Sequence, residues 1–393
     1  MPAPELADVV VLGAGAAGLM CAFTAGRRGR RVVVLDHARQ AGEKILISGG
    51  GRCNFTNRDC RPERFLSANP KFCRSALSRY TPEDFLALVE KHGIAWHEKT
   101  LGQLFCDGSA RQIVSMLLAE CEAAGVDIRL QQRIGEVSRA DRFRVETDAG
   151  PLEASALVLA TGGLSIPKIG ATGLAYEVAR CFGLPLTEIR PGLVPLLLDP
   201  VDRARLESLA GVSAPIGATC GKARFEEGMV VTHRGLSGPA ILQISSMWRE
   251  GAPVEIDLLP GAEPGILRAR KRARPKAGLR GILGDLLPQR LADALLPFDS
   301  KGRPIGDVPD RDLAALESAL HAWTLRPSGT EGYAKAEVTL GGIDTAALSQ
   351  RTMQANAIPG LFAIGEAVDV TGWLGGYNFQ WAWSSAVAAG EAA

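Results

Sequence analysis

Gly13-Ala-Gly-Ala-Ala-Gly18 is the stretch that decides the fold of this chain. It directly follows the apolar run Asp8-Val-Val-Val-Leu-Gly13, which is typical of a buried parallel strand, and a helix rich in small residues is predicted over residues 16 to 28. Residues 31 to 36 are the next predicted strand, and it ends on an acid, Asp36. The order of strand, glycine turn, helix and strand begins a doubly wound α/β sheet.

The three glycines and the acid together form the dinucleotide-binding fingerprint. Gly13 permits the tight turn, Gly15 lets the backbone approach a pyrophosphate, and Gly18 lets helix and strand pack closely. The helix N-terminus favours phosphate by roughly 0.3 to 1 kcal/mol per charge. We expect Asp36 to accept hydrogen bonds from the adenosine ribose. The fingerprint alone does not separate NAD from FAD.

Two later strand ends favour FAD. Leu157-Val-Leu-Ala-Thr-Gly-Gly163 is a strand followed by the kind of turn at which flavoprotein chains cross beneath the cofactor, although an ordinary strand and turn explains it equally well. The segment Gly360-Leu-Phe-Ala-Ile-Gly-Glu-Ala-Val-Asp369 places Gly365 and Glu366 at a strand end. Flavin enzymes reach the pyrophosphate and ribityl chain from this position, and a simple NAD-dependent dehydrogenase needs no such strand. We therefore predict FAD.

Two glycine-rich segments have the composition to approach the flavin ring. Gly375-Gly-Tyr-Asn-Phe-Gln-Trp-Ala-Trp383 opens the last helix, and its free N–H groups suit the N1–C2 carbonyl edge of an isoalloxazine. A terminal core helix explains the same tryptophans. The segment Gly42-Glu-Lys-Ile-Leu-Ile-Ser-Gly-Gly-Gly-Arg-Cys-Asn-Phe-Thr-Asn57 carries three successive glycines, which allow backbone to lie flat against a ring or to form a flexible loop.

The middle third of the chain differs from both ends. Residues 191 to 260 are predicted to be β-rich and residues 261 to 330 helical. We expect a discontinuous first domain, residues 1 to 190 and 334 to 393, with an inserted domain over residues 191 to 333. Within the first domain, helices are predicted over residues 81 to 93 and 109 to 125, and strands over residues 126 to 137, 142 to 147 and 152 to 160.

Composition adds few constraints. The 44 lysines and arginines against 43 acids give a net charge of +1, which neither favours nor excludes a polyanionic partner. Eight cysteines with no CxxC pair indicate reduced thiols in the cytoplasm, and we predict no metal site. The uncharged stretch from residue 9 to 26 is broken by four glycines, so we expect a soluble protein and no membrane span.

Motifs spread over nearly the whole chain resemble the BaiN/YhiN family of bacterial flavoproteins. They are the segment from Gly42 to Asn57, Thr232-His-Arg-Gly-Leu-Ser-Gly-Pro-Ala240, Val338-Thr-Leu-Gly-Gly342, Arg351-Thr-Met353 and the tail through Gly375-Gly-Tyr-Asn378. The resemblance implies a glutathione-reductase-type FAD domain interrupted by a β-barrel-like domain and a small helical domain. Two positions depart from it: Asp36 stands where Glu is common, and Gln354-Ala355 stands where Glu-Ser is frequent.

The resemblance also implies which residues contact the cofactor, in five groups. They are Gly13, Gly15, Ala17, Gly18 and Asp36 at the ADP half; Ile134 at the adenine; Lys44, Ser48, Gly49, Gly50, Gly51, Arg52, Cys53 and Asn54 along the flavin; Thr161, Gly162, Gly365, Glu366 and Asp369 along the pyrophosphate and ribityl chain; and Gly375, Gly376 and Asn378 at the flavin edge.

The activities of the resembling family are reductions of activated carbon–carbon double bonds, in a dehydro bile acid or in a uridine of large-subunit (23S) ribosomal RNA. We expect NAD(P)H to reduce FAD and to bind only transiently, because the sequence has no second dinucleotide-binding fingerprint. Candidate proton donors are Cys53, Tyr377 and His233, although the first also suits a tight loop, the second a helix cap and the third its own turn. The alternatives are a reductase of a small-molecule enone and a flavin-binding protein without turnover.

A basic run lies in the predicted helical part of the insertion. It contains Arg268, Arg270, Lys271, Arg272, Arg274, Lys276 and Arg280. One interpretation is an arm that follows the phosphates of ribosomal RNA. The other is a solvated helical face, since no aromatic residues alternate with the charges as base stacking would favour.

Overall fold

The computed structural model describes residues 4 to 296 and 302 to 393, which form two compact units. The first unit extends to Arg190 and resumes at Val338, and the second comprises Pro191–Glu337. The chain thus returns to the first unit at Val338 rather than at residue 334. No helix within the described ranges is long and apolar enough to cross a membrane.

The described residues form strands and helices in the following order along the chain. The strands are β1 (Glu5–Leu12), β2 (Val32–Leu35), β3 (Asn54–Asn57), β4 (Phe65–Leu66), β5 (Trp96–Glu98), β6 (Gln103–Cys106), β7 (Asp127–Arg129), β8 (Ile134–Arg139), β9 (Phe143–Thr147), β10 (Leu152–Leu159), β11 (Arg190–Gly192), β12 (Leu196–Leu198), β13 (Ser213–Cys220), β14 (Ala223–Val231), β15 (Gly235–Ser237), β16 (Val254–Asp257), β17 (Trp323–Leu325), β18 (Pro327–Thr330), β19 (Val338–Leu340), β20 (Leu361–Ala363) and β21 (Thr371–Gly372). The helices are α1 (Ala16–Gly26), α2 (Glu43–Ile47), α3 (Arg74–Arg79), α4 (Pro82–Lys91), α5 (Ala110–Ala123), α6 (Leu174–Cys181), α7 (Pro200–Leu206), α8 (Pro239–Ser245), α9 (Ile266–Ala273), α10 (Leu279–Gly284), α11 (Gln289–Leu295), α12 (Asp310–His321) and α13 (Tyr377–Gly390).

A seven-stranded sheet forms the centre of the first unit. Its order is β7-β2-β1-β10-β9-β8, with β20 beside β10. Strands β7, β2, β1, β10 and β20 run parallel, while β8 and β9 form an antiparallel extension. All four residues of β2 and the last four of β1 are buried. Burial on both faces explains why these strands are continuous apolar runs in the sequence, and the predicted α/β fold is confirmed.

The parallel strands bring three separate segments to one edge of the sheet. Strands β1 and β20 both pair with β10 in parallel. The segments that follow Leu12, Leu159 and Ala363 therefore leave the sheet at the same edge. This edge, at the carboxyl ends of the strands, is where ligands bind in open α/β sheets.

The helices predicted in the first unit are present as α1, α4 and α5. Helix α4 begins with a capping box in which Thr81 and Asp84 bond each other's backbone N–H groups. The strand predicted over residues 126 to 137 is two strands, β7 and β8. Gln131, with φ +56°, turns the chain between them, and the N–H of Gln132 bonds the Asp36 carbonyl.

The second unit contains a seven-stranded antiparallel sheet. Its order is β17-β16-β13-β14-β15-β12-β18. The region predicted to be helical contains α9 to α12, but its last residues form β17 and β18, so the prediction was wrong there. Pairing of β17 with β16 and of β18 with β12 is a long-range contact that local sequence does not show. The β-rich region also contains two short helices, α7 and α8.

Candidate cofactor site

The glycine turn after β1 contains two glycines that the packing requires and one that it does not. A Cβ at Gly13 would lie 2.5 Å from the Ala160 carbonyl oxygen, and a Cβ at Gly18 would collide with the carbonyl oxygen of Gly13. At Gly15, a Cβ would meet no protein atom within 4 Å. Gly13 and Gly18 thus bring strand and helix together, whereas Gly15 borders open space at the start of α1, where backbone N–H groups are free for a phosphate.

Open space also borders Gly162 and Gly50. A Cβ at either position would meet nothing within 4 Å, and both residues have positive φ, +74° and +66°. Gly162 follows β10 at the same sheet edge as Gly15. A Cβ at Gly15, Gly50 or Gly162 would thus meet no atom of the described residues within 4 Å, which leaves the backbone there open to close approach by a cofactor.

The Asp36 carboxylate is hydrogen-bonded to the glycine turn that precedes it in the sequence. Its two oxygens accept the N–H of Ala14 at 2.6 Å and that of Ala38 at 2.8 Å. A carboxylate offers about four acceptor positions, so ribose hydroxyls still have acceptors available. The short aspartate side chain suits this contact with the glycine turn.

A cavity of about 350 Å³ opens beside Asp36. It is lined by His37, Gln131, Gln132, Arg133, Ile134, Thr172, Leu174 and Glu177. The Oε1 atom of Gln132 is buried and has no hydrogen-bond partner among the described residues. An unsatisfied buried acceptor in such a cavity fits a ligand with an amino group, such as adenine. Ile134 was expected here from the resemblance, whereas Gln132 belongs to no motif and was missed.

Lys44 and Glu366 are joined by a short ion pair, although 322 positions separate them. The Lys44 ammonium donates to Glu366 Oε2 at 2.5 Å and to the Ser165 hydroxyl at 2.6 Å. The other Glu366 oxygen accepts the N–H of Thr339 at 2.8 Å. The Glu366 carboxylate is thus largely satisfied by protein donors, and it holds the ammonium of Lys44 in place.

Gly365 packs directly against the first helix. A Cβ at Gly365 would lie 2.9 Å from the Cβ of Ala17. Its N–H bonds the Ser385 hydroxyl at 3.0 Å, and its carbonyl accepts from the Trp381 indole at 3.0 Å. Both polar groups of Gly365 therefore face α13, and the small side chains at positions 17 and 365 let α1 and the turn after β20 approach each other.

The segment from Ser48 to Asn54 forms a series of left-handed turns. Gly49, Gly50, Gly51 and Cys53 all have positive φ, and Ser48 accepts the N–H of Cys53 through its carbonyl at 3.1 Å. The side chain of Arg52 is exposed.

The end of this segment bonds the start of the last helix. With the Asn54 amide oriented to satisfy its surroundings, its oxygen accepts the N–H of Gly376 at 3.1 Å and its nitrogen donates to the carbonyl of Thr56 at 3.0 Å. A Cβ at Gly376 would collide with the same Thr56 carbonyl. Asn378 closes its own turn, because its side chain bonds both the N–H and the carbonyl of Gly372, at 2.8 and 2.9 Å.

The three candidate proton donors lie in different surroundings. The Cys53 thiol is fully buried, and this burial raises its pKa. Tyr377 is 6% exposed, burial raises its pKa to about 12, and its ring packs edge-on against Phe65. His233 is exposed between β14 and β15 of the second unit, and the Thr232 hydroxyl, not the histidine, bonds the turn.

Asp369 was expected along the ribityl chain and is buried in the structure. Its carboxylate accepts the N–H of Ala68 at 2.9 Å, and burial raises its pKa. The contact ties the segment before α3 to the turn before β21. The residue is only 6% accessible.

Strands β5 and β6 border the site and carry residues that no motif indicated. A Cβ at Gly49 would lie 2.9 Å from the Phe105 ring, and a Cβ at Gly375 would lie 3.1 Å from the Gln103 side chain. These strands form a three-stranded antiparallel sheet with β3. The sequence offered no signal for them, since the stretch has neither glycine repeats nor a recognisable spacing.

A parallel Rossmann sheet, a glycine turn with open backbone and a second set of turns from the chain's last thirty residues define an FAD-binding oxidoreductase. The chain belongs to the HI0933-like protein Rossmann domain family, which it matches over residues 7–392. It is 49% identical to a ribosomal RNA dihydrouridine synthase of Escherichia coli and 45% identical to one of Haemophilus influenzae. It is 28% identical to a 3-dehydro-bile acid delta(4,6)-reductase of Clostridium scindens, and each of the three similarities covers 98% of both chains.

Proposed function

We propose that this protein reduces a uridine of large-subunit ribosomal RNA to dihydrouridine in the cytoplasm. The observation that carries the proposal is the higher identity to two ribosomal RNA dihydrouridine synthases, 49% and 45%, than to the bile acid reductase, 28%, at equal coverage. The reduction adds a hydride and a proton across the C5=C6 bond of the base. Bound FAD supplies the hydride.

We assign the ADP half of the cofactor to the first part of the site. The backbone N–H groups at Gly15 and Gly162 would hold the pyrophosphate, Asp36 the ribose, and the cavity with Ile134 the adenine. These assignments agree with the open space at the two glycines and with the unsatisfied acceptor of Gln132.

We assign the flavin half to Lys44, the segment from Ser48 to Asn54, and the turn at Gly375 and Gly376. The Glu366 carboxylate orients the Lys44 ammonium through their 2.5 Å bond. An ammonium held in this way stabilises negative charge on a neighbouring ring. The turns at Gly49 to Gly51 provide backbone that lies close to a planar group without side chains intervening.

For the proton, we favour Tyr377 over Cys53. A donor must lie within hydrogen-bond reach of the substrate; Cys53 has no accessible surface, whereas Tyr377 keeps 6% of its surface accessible. A phenol with a pKa of about 12 stays protonated at neutral pH, so Tyr377 retains a proton to donate. His233 stays a second candidate because it is exposed. We expect Tyr377→Phe to slow product formation roughly 10²-fold while leaving reduction of the flavin by NAD(P)H unchanged.

The proposed reductant is NADPH or NADH, bound transiently. Rapid mixing of the purified yellow protein with each nucleotide distinguishes them, because the preferred one bleaches the flavin faster. A protein whose flavin neither nucleotide bleaches would support the alternative of flavin binding without turnover.

We further propose that part of the basic run contacts RNA phosphates. Three of its seven cations are engaged by carboxylates: Lys271 with Asp310, Arg274 with Asp285 and Arg280 with Asp293. In the part of the chain that the structure describes, Arg268, Arg272 and Lys276 are exposed and make no such ion pair. These three are the residues available to phosphate, so the arm is shorter than the sequence suggested.

Mapping dihydrouridine in ribosomal RNA from a deletion strain tests the proposed function. We expect one large-subunit position to revert to uridine and to be restored by the wild-type gene but not by a Gly15→Val variant. Unchanged ribosomal RNA, together with an enone that rapidly reoxidises the reduced protein, would instead support a small-molecule reductase.

A further inference from the structure

A face of strands β5 and β6, which we call the β5–β6 face, consists of His97, Lys99, Gln103 and Phe105. Residues of β6 alternate between partly exposed and buried, so Gln103 and Phe105 point to the same side. His97 stands directly opposite Phe105 in the strand pairing and shares that side. Lys99 follows β5, and its ammonium lies 5.4 Å from the centre of the Phe105 ring.

The β5–β6 face is continuous with the flavin half of the site. Phe105 contacts the segment from Ser48 to Asn54 at Gly49, and Gln103 contacts the turn before α13 at Gly375. Asn54 also pairs with Phe105 across β3 and β6. A polymer bound on this face would therefore run into the segments that we assign to the flavin.

The face combines aromatic surface with cations. The rings of His97 and Phe105 lie nearly parallel, at 14° and 5.9 Å between centroids, and the His97 side chain is 42% exposed. The Asp107 carboxylate holds the ring by accepting a hydrogen bond from its Nδ1 at 2.6 Å. Ordered rings beside a positive charge are what stack nucleobases and neutralise phosphates in proteins that bind unpaired strands.

Lys99 and Arg52, at the face, differ from two neighbouring arginines that are paired with carboxylates. Arg58 pairs with Glu98 at 3.1 Å, and Arg64 pairs with Asp59 at 2.7 Å. Lys99 and Arg52 are exposed and, among the residues that the structure describes, have no carboxylate partner. Both stand beside the flavin half, so both are available to a phosphate.

We propose that the β5–β6 face, together with Arg52, binds the unpaired RNA segment that carries the substrate uridine. The proposal rests on the proposed function. A base inside a duplex is not accessible to chemistry on its ring, so the substrate must be unpaired or extruded at the site. Lys99 and Arg52 neutralise the phosphates next to that base, and the stacked His97 and Phe105 rings hold a flanking base.

Binding of a fluorescein-labelled single-stranded RNA of twelve nucleotides, rich in uridine, tests the proposal by anisotropy at several salt concentrations. We expect Lys99→Ala and Arg52→Ala each to weaken binding roughly fivefold and to lower the salt slope by about 0.7. His97→Ala should weaken it about tenfold through lost stacking. Lys71→Ala, which removes an exposed lysine outside the face, is the matched control and should bind as wild type.

Each outcome has one meaning when all variants are compared at equal flavin content. Wild type that binds the RNA while Lys99→Ala/Arg52→Ala binds it with the same affinity and salt slope would overturn the β5–β6 assignment and leave the proposed function standing. Wild type that binds no such RNA would overturn the β5–β6 assignment, while the dihydrouridine map of the deletion strain decides the proposed function separately. An oligo-glutamate peptide that displaces the RNA at equal concentration would assign the face to an acidic protein partner instead.

Discussion

The two ends of the cofactor site are constructed differently. The ADP end is formed mainly by one continuous stretch, residues 13 to 36, in which backbone contacts backbone and glycines set the distances. The flavin end joins segments more than 300 positions apart through side-chain bonds such as Lys44 with Glu366. The ADP end depends on the absence of side chains at Gly13 and Gly18. The flavin end depends on the presence of particular hydrogen-bonded pairs of residues. Substitutions should therefore damage the ends to different extents.

The largest effect is expected at Gly18. In Gly18→Ala, the new methyl group collides with the backbone oxygen of Gly13, which cannot move without separating β1 from α1. We expect a loss of about 3 kcal/mol or more in the free energy of unfolding and little bound flavin, as measured by urea denaturation and flavin absorbance.

Gly15→Ala is the matched control for that substitution. Gly15 has φ −84°, which alanine adopts readily, and its Cβ would meet no protein atom. The apoprotein should stay within about 1 kcal/mol of wild type while its FAD affinity falls. Wild-type FAD affinity in Gly15→Ala would show that the cofactor does not approach this turn.

A smaller effect is expected below the ADP end, where Glu120 of α5 anchors the end of α1. The buried carboxylate accepts from Lys91 and His92 at 2.8 and 2.7 Å and is bonded by Arg27. Burial alone would raise the pKa of Glu120, but these bonds and charges outweigh it and hold the pKa at about 2. Its stabilising contribution is therefore complete above the ordinary carboxyl pKa and is lost as pH falls toward 2.

Glu120→Gln should lower the free energy of unfolding at neutral pH by about 2 kcal/mol. The loss is no larger because solvent screens the charges of the exposed Lys91 and Arg27. The stability of the variant should also fall less than that of wild type between about pH 5 and pH 2. Glu122→Gln changes an exposed acid on the same helix and should follow the wild-type curve. Parallel curves for wild type and Glu120→Gln would contradict the depressed pKa.

The smallest effect is expected from Lys44→Met at the flavin end. Lys44 is 39% exposed and Glu366 18%, so losing the pair should cost the apoprotein only about 1 kcal/mol. FAD affinity should fall more than stability if Lys44 also contacts the flavin. Lys71→Met, an exposed lysine without an ion pair within the described ranges, should change neither. Equal losses in stability and FAD affinity would restrict Lys44 to a structural role.

The sequence predicted the ADP end because its determinants are local. A strand, three glycines, a helix and Asp36 lie within thirty residues, and their spacing alone indicates a nucleotide site. The bond from Asp36 to the Ala14 N–H was not predicted, because a pattern shows which residues are near in sequence and not which atoms meet.

The flavin end of the site and two strands of the second unit could not be predicted from the sequence, because they depend on contacts between residues far apart in the chain. The ion pair of Lys44 with Glu366 and the bond of Asn54 with Gly376 form only after the chain has folded. The β5–β6 face has no motif, and Gln132 becomes notable only because its Oε1 atom is buried with no hydrogen-bond partner among the described residues. In the second unit, the sequence predicts helix where β17 and β18 lie, because the strands that pair with them are distant in sequence.

The central claim is that the flavin of this protein passes its electrons to a uridine in RNA. The most direct measurement reduces the protein anaerobically and then adds a large-subunit ribosomal RNA transcript, following flavin absorbance and analysing the RNA for dihydrouridine. We predict that the flavin reoxidises and that one dihydrouridine forms for each flavin reoxidised. A flavin that stays reduced in the presence of RNA, but is reoxidised by a small enone, would contradict the claim.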